Sequence, residues 1–213
     1  MNSIITITKK CIRAAIGLIM FGFGLYMTIQ ANIGAAPWDV FSLGITNYIP
    51  LTFGQVNTGV GVIIVIIDVI LKERIGLGTL LDTFLVGLSF DVFNSLNIVP
   101  TCNSIVTGLV VMTVGMFLMA IGQFIYMKAA ICCGPRDSLL VALGKRAKKI
   151  PIGAVCVILE VVVLVIGWIM GGPVGIGTAY SALGVGVTMQ IVFNIVKFEP
   201  RDVKHQGLGA SAA

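Results

Sequence analysis

Glu160 lies about eight residues into an apolar run, between Val155–Leu159 and Val161–Ile166. A carboxylate at that depth in a lipid-facing segment is costly, and it marks a substrate, ion or proton role by default. Two short motifs carry related chemistry, Pro37-Trp38-Asp39 and Pro135-Arg136-Asp137. Arg136 is the nearest partner for Glu160 if its segment dips inwards, so an Arg136–Glu160 contact is expected. Such a contact serves either a substrate or proton site, or a buried pair that locks a helix to a loop. Asp91 lies deep in another apolar segment, with Gln190 near the matching position of the second half. No basic residue is expected near Asp39 or Asp91. That leaves them protonated, solvated, capping a helix (Asp39 especially) or holding a cation. The candidate site is Arg136, Asp137 and Glu160 from the second half with Trp38, Asp39 and Asp91 from the first.

Other chemistry is missing from the pattern. The five cysteines, Cys11, Cys102, Cys132, Cys133 and Cys156, are odd in number and lack metal-ligand spacing. The vicinal Cys132-Cys133 pair reads as small apolar packing more readily than as a redox pair. His205 is the one histidine and stands in a polar tail, so no metal site is expected. Neither a nucleophile–base pair nor a cofactor loop is visible, so the chain is not expected to be an enzyme or to hold a cofactor. Asp68 stands four residues before Lys72 and reads as an interfacial i,i+4 pair. Asp82 lies nearer the cytoplasmic side of its segment and aligns with Ser181. Gln30, Gln55, Asn57, Asn94, Gln123, Tyr126 and Asn194 read as helix-bridging polar groups.

The elements that must position these residues follow from composition. The chain has 213 residues and only 11% are charged, against about 25% in soluble domains. Its mean hydropathy is +1.05. Lipid must therefore be the solvent for much of it, and a crossing helix needs about 20 apolar residues. Six segments qualify, at about 14–32, 53–71, 77–98, 103–127, 152–170 and 174–196. The apolar run after Lys9, Lys10 and Arg13 is longer than the core of a cleaved signal, so it reads as a retained first helix.

All fourteen basic residues fall on alternate connections. The N-terminal segment, the second-to-third loop (Lys72, Arg74), the fourth-to-fifth loop and the tail carry them, whereas 33–52, 99–102 and 171–173 carry none. Lys and Arg stay on the cytoplasmic side, so six crossings with both termini inside are expected. The net charge of +5 is thus a topology marker, and no nucleic-acid surface is implied.

The two halves repeat. Pro-x-Asp, Ile49-Pro50 with Ile150-Pro151, Gly76-Leu77-Gly78-Thr79 with Gly175-Ile176-Gly177-Thr178, and Val92-Phe93-Asn94 with Val192-Phe193-Asn194 recur in order, about 98–101 residues apart. Each unit, at about 14–98 and 103–196, holds three crossings. An odd number inverts the second unit, an architecture that places sites between repeats near the midplane. The expected fold is a single all-α membrane domain over 1–213, two inverted three-helix repeats with a polar cytoplasmic tail at 197–213. Proline at a first helical position and aspartate in a first turn predict a short helix in each unit, at about 38–47 and 136–147. Each is either re-entrant, with its N-terminus near the midplane, or flat in the interface.

Gly134-Pro135-Arg136-Asp137-Ser138-Leu139-Leu140, Ile152-Gly153 with Glu160, Ile166-Gly167-Trp168 and Gly171 through Thr178 resemble the YczE branch of the YczE/YyaS/YitT bacterial membrane proteins. Pro37-Trp38-Asp39-Val40 and Gly76-Leu77-Gly78-Thr79 agree in the first half, so the likeness spans roughly residues 14–196. Cys132-Cys133 departs from it, because smaller residues are expected before Gly134. The resemblance implies a bacterial inner-membrane protein and supplies no substrate. The residues themselves point to a small-solute permease or exporter. The alternative is a membrane-embedded regulatory or assembly protein. In that case Lys145, Arg146, Lys148 and Lys149 dock a cytoplasmic partner or anionic lipid, and the chain is open to homo-oligomer formation.

Overall fold

Six long helices of 18 to 29 residues form on the apolar runs in the computed structural model, and two Pro-led segments form short ones. The model describes residues 2–73, 75–130, 134–147 and 150–198, with side chains from residue 7 onwards. The elements are α1 (Asn2–Gln30), α2 (Pro37–Thr46), α3 (Phe53–Ile70), α4 (Leu77–Leu96), α5 (Ile105–Met127), α6 (Pro135–Arg146), α7 (Ile152–Ile169) and α8 (Ile176–Ile195). All but α2 and α6 are long and apolar enough to cross a membrane. Arg74, Cys132, Cys133, Lys148, Lys149 and the tail from 199 onwards, including His205, lie outside the described residues.

The first helix starts earlier than expected, at Asn2 rather than near 14. Lys9, Lys10 and Arg13 end the apolar count, but Lys and Arg are good helix formers, so the backbone continues through them.

The longest seam joins α1 and α5, which cross antiparallel through glycine. A Cβ on Gly17 would stand 2.7 Å from the Gly122 carbonyl, and one on Gly24 would stand 2.5 Å from the Gly115 carbonyl. The reciprocal contacts are as tight: 2.6 Å from Gly122 to the Gly17 carbonyl and 2.7 Å from Gly115 to the Gly24 carbonyl. Small residues let helix backbones touch where lipid offers no hydrophobic drive. The adjoining core holds Leu18, Leu25, Tyr26, Val86, Phe90 and Tyr126, with Phe53 tilted 4.3 Å from Phe90. Tyr26 fixes the next turn by donating to the Val99 carbonyl at 2.8 Å.

Packing elsewhere comes in matched sets. Helix α1 lies on α4, and α5 on α8; α2 lies on α7, and α6 on α3; α2 also touches α3, and α6 touches α7. The close α3–α4 pair has no equally close α7–α8 counterpart, and α7 is the least buried of the long helices.

Each short helix is tied at its end to a long helix of the other half. Asn47, which caps α2, donates through Nδ2 to the Met170 carbonyl that ends α7, at 3.1 Å. Arg146, the last residue of α6, donates through Nη2 to the Leu71 carbonyl that ends α3, at 2.8 Å. Lys145 adds an ion pair with Glu73 at 2.7 Å. Cations at the C-terminus of α6 also suit the negative end of its dipole.

Candidate functional site

Helix α6 begins at Pro135 after the extended Gly134, and α2 begins at Pro37 after the extended Ala36. Proline presets the first helical φ and lacks the N–H that would be orphaned there. This places Trp38 and Arg136 as the second residue of each short helix, and Asp39 and Asp137 as the third.

The first turns of the two helices meet. The Arg136 guanidinium lies 5.0 Å from the Trp38 ring centre, within cation–π range. Its Nη2 donates to Asn57 Oδ1 on α3 at 2.6 Å. Trp38 and Phe41 pack against Val56, Val60, Ile64 and Leu139, and so does Leu159 of α7. Arg136 also exerts its charge on Asp39 and Asp82. Asp39 is 3% exposed. Asp82, on α4, reaches over the start of α6: a Cβ on Gly134 would stand 3.0 Å from its Oδ2. Asp137 repels Asp82, and its Oδ2 stands 3.9 Å from the same Gly134 Cβ position.

The expected Arg136–Glu160 pair is not formed. Arg136 is engaged by Asn57 and Trp38, and the only ion pair within 4 Å among the described residues is Lys145–Glu73. Glu160 is half-buried one turn from Cys156, whose thiol points at Oε1 across 4.0 Å. Helix α7 is apolar all round, so its sequence carries no signal for the face it turns to α6.

Asp91 stands apart from this group. Its Oδ1 accepts from the Gly54 amide at 3.0 Å and its Oδ2 accepts from the Thr52 hydroxyl. It therefore satisfies the N-terminus of α3, alongside the Thr52–Gln55 capping box. Asp68 also departs from expectation. It is fully buried, and neither carboxylate oxygen has a hydrogen-bond partner, so it does not pair with the exposed Lys72.

Two members of the cluster were not in the expected set, Asn57 and Asp82. Asn57 reads as ordinary helix glue in a single pass. Asp82 gave itself away only through Gly134, where a side chain would collide with it.

The two cavities that stand out lie elsewhere and are apolar. One of about 470 Å³ is bounded by Leu143, Arg146, Val155, Leu159 and neighbours, and one of about 360 Å³ by Ile16, Phe23, Phe93 and neighbours. Among the described residues no group of three or more His, Cys, Asp or Glu is placed to hold a metal ion.

Six long apolar helices, folded around one interior seam, define a polytopic α-helical membrane protein. Residues 8–194 match the model of a family of unknown function, DUF6198, and the chain belongs to that family. It is 31% identical over 180 residues to YczE of Bacillus subtilis (strain 168), described as an uncharacterized membrane protein; the match covers 82% of this chain and 80% of that one. It is 28% identical over 179 residues to an uncharacterized protein of Haemophilus influenzae, covering 84% and 81%. It is 28% identical over 187 residues to the uncharacterized protein YyaS of Bacillus subtilis, covering 85% and 91%. No solved structure matches the chain.

Proposed function

We propose that the chain is a small-solute permease or exporter of the bacterial inner membrane, with its site at the Arg136–Trp38 junction between two inverted three-helix units. The observation that carries this reading is the meeting of the two first turns, Arg136 of α6 on Trp38 of α2. That side-chain contact supports an arrangement in which two short helices of opposite origin direct their amide ends towards one place, as in transporters built from inverted repeats.

Inversion is supported by the α1–α5 seam. Each unit's first long helix crosses the other antiparallel, and Gly17 and Gly24 meet Gly122 and Gly115, their counterparts in exchanged order. A two-fold axis relating antiparallel helices lies across them, hence in the membrane plane. Re-entry of the short helices is supported by α6, which runs alongside α3 in the same direction: Arg136 lies by Asn57 near one end, Arg146 by Leu71 at the other. The Lys/Arg distribution supports a cytoplasmic location for both chain termini.

Solute-independent labelling tests this. In a cysteine-free background, Ser138→Cys and Asn57→Cys are treated with a charged, impermeant thiol reagent from each face. Tyr48→Cys and Ile150→Cys report outer and inner access; both positions are exposed. A permease gives labelling at 138 or 57 from at least one face. Unreactive thiols at both, with both controls labelled, mean a dry centre, and the permease reading fails.

The alternative is a membrane-embedded regulatory or assembly protein. It is favoured by one feature, the apolar groove between α6 and α7 with Arg146 at its rim.

A further inference from the structure

The two halves hold the same parts in different arrangements. Helices α3 and α7 both have 18 residues, and α4 and α8 both have 20. The turns that join them, 71–76 and 170–175, are equal in length. Each turn has its second residue in the left-handed region, Lys72 at φ 59° and Gly171 at φ 83°. Position for position, Gly153 of α7 is the counterpart of Gly54 in α3, and Gly186 of α8 is the counterpart of Gly87 in α4. In the first half these glycines form the contact between the helices: a Cβ on either one would overlap the other's carbonyl. In the second half both stand in open space, with nothing within 4 Å of an added Cβ. Three described glycines are open in this way, Gly59, Gly153 and Gly186, and two of them are the counterparts of the touching pair. The polar groups beside them differ in the same sense. Asp91 accepts from the Gly54 amide and so caps α3. Its counterpart Gln190 donates instead to Asn194 of its own helix, at 3.0 Å, and the start of α7 has no side-chain cap. Val157, Ala182 and Gln190, which flank the open glycines, are all exposed.

We infer that the chain has a second conformation, in which α7 closes on α8 through Gly153 and Gly186 while α3 parts from α4. Each half then takes the arrangement that the other has in this structure. The inference rests on the permease reading and supplies its gating. Glycine inside a helix is destabilising against alanine, and in lipid it is offset where two backbones approach closely. Gly54 and Gly87 have that offset; Gly153 and Gly186 gain it only when their helices meet. Equal helices and equal turns give α7 and α8 the reach to do so. On closure Gln190 comes to the place that Asp91 holds, where its Oε1 accepts from the Gly153 amide and supplies the missing cap. Glu160 replaces Gly61 along this seam, and the residue opposite it is Ala182 in place of the larger Thr83. The α3–α4 seam is closed at the end away from Lys72, where Gly54 meets Gly87 and Asp91. The gap between α7 and α8 starts at Gly153, beside the basic loop that follows α6. With Lys and Arg marking the cytoplasmic side, this conformation is shut to the outside and parted towards the cytoplasm, and the exchange reverses both. The Arg136–Trp38 junction lies between α3 and α7, so the same movement switches the side from which it is reached.

Disulfide trapping in the full chain tests this without a solute. The chain is placed in nanodiscs in a cysteine-free background. Gly61→Cys with Thr83→Cys reports the α3–α4 seam, because an added Cβ at 61 lies 3.6 Å from the Thr83 Cβ, within disulfide range. Val157→Cys with Gly186→Cys reports the α7–α8 seam. Their counterparts are Thr58 and Gly87, where a Cβ on Gly87 would overlap the Thr58 hydroxyl. Copper phenanthroline forms the bridges, a maleimide caps the thiols that remain, and intact mass counts the adducts. Each pair alone should bridge within one chain and lose both adducts. With both pairs present, each molecule should form one bridge and keep two adducts, because closing one seam opens the other. Four results overturn the inference: no bridge at 61–83, no bridge at 157–186, a 157–186 bridge formed between two chains, or loss of all four adducts when both pairs are present. Labelling at Ser138→Cys does not depend on these bridges, so a failed exchange leaves the permease reading to stand or fall separately.

Discussion

Glycine-to-alanine exchange should change stability in opposite directions at two helical positions of this chain. At Gly122 an added Cβ would lie 2.6 Å from the Gly17 carbonyl and 2.7 Å from the Phe21 amide nitrogen. Both contacts are with backbone, which cannot swing aside. Relief to ordinary contact requires α1 and α5 to part by roughly 0.8 Å along their main seam, and overpacking of that order costs about 1–3 kcal/mol. Gly186 stands in open space, with nothing within 4 Å of the added carbon. There the substitution removes only the conformational penalty of glycine in a helix, a gain of about 0.5–1 kcal/mol. Thermal unfolding in one detergent measures both, with a shift of about 2–4 °C per kcal/mol for a chain of this size. Gly122→Ala should melt several degrees below wild type and Gly186→Ala slightly above it. Equal melting temperatures for Gly122→Ala and wild type would show that the helices do not touch there, and the antiparallel seam would be wrong.

Three further outcomes follow from contacts at the helix ends. Asp91→Ala removes the acceptor for the Gly54 amide and the Thr52 hydroxyl, and should cost about 1–2 kcal/mol by thermal melting; an unchanged melting temperature would show that Asp91 does not hold the start of α3. Lys145→Ala breaks an ion pair whose lysine is 61% exposed and should change stability by less than about 1 kcal/mol. Arg146→Ala leaves the Leu71 carbonyl without its donor and should cost more than Lys145→Ala in the same assay; the reverse order contradicts the tie between α6 and α3.

The long helices were legible because lipid demands long apolar runs, and their bounds fall within a few residues of those read from the chain except at α1. The short helices were legible from Pro-x-Asp, where local chemistry alone sets the start. The site was half legible. Trp38, Asp39, Arg136 and Asp137 converge because each is fixed by a helix start that the sequence announces. The partners of Glu160 and Asp91 were not legible for a common reason: depth along a helix is readable, but the direction a side chain faces depends on which neighbour packs there. Val, Ile and Leu surround Glu160 on every side and leave no polar stripe to orient it. Asp91 finds its partners on α3, 37 and 39 residues away in the chain.

The ties at the ends of α2 and α6 are chemically unequal. Asn47 holds the Met170 carbonyl with a neutral amide, whereas Arg146 holds the Leu71 carbonyl with a full charge, seconded by Lys145 and Glu73. Added salt weakens attraction between exposed charges and hardly touches an amide bond. Raising the ionic strength would therefore loosen the C-terminal tie of α6 and leave that of α2 in place. The two short helices would in that way answer differently to salt.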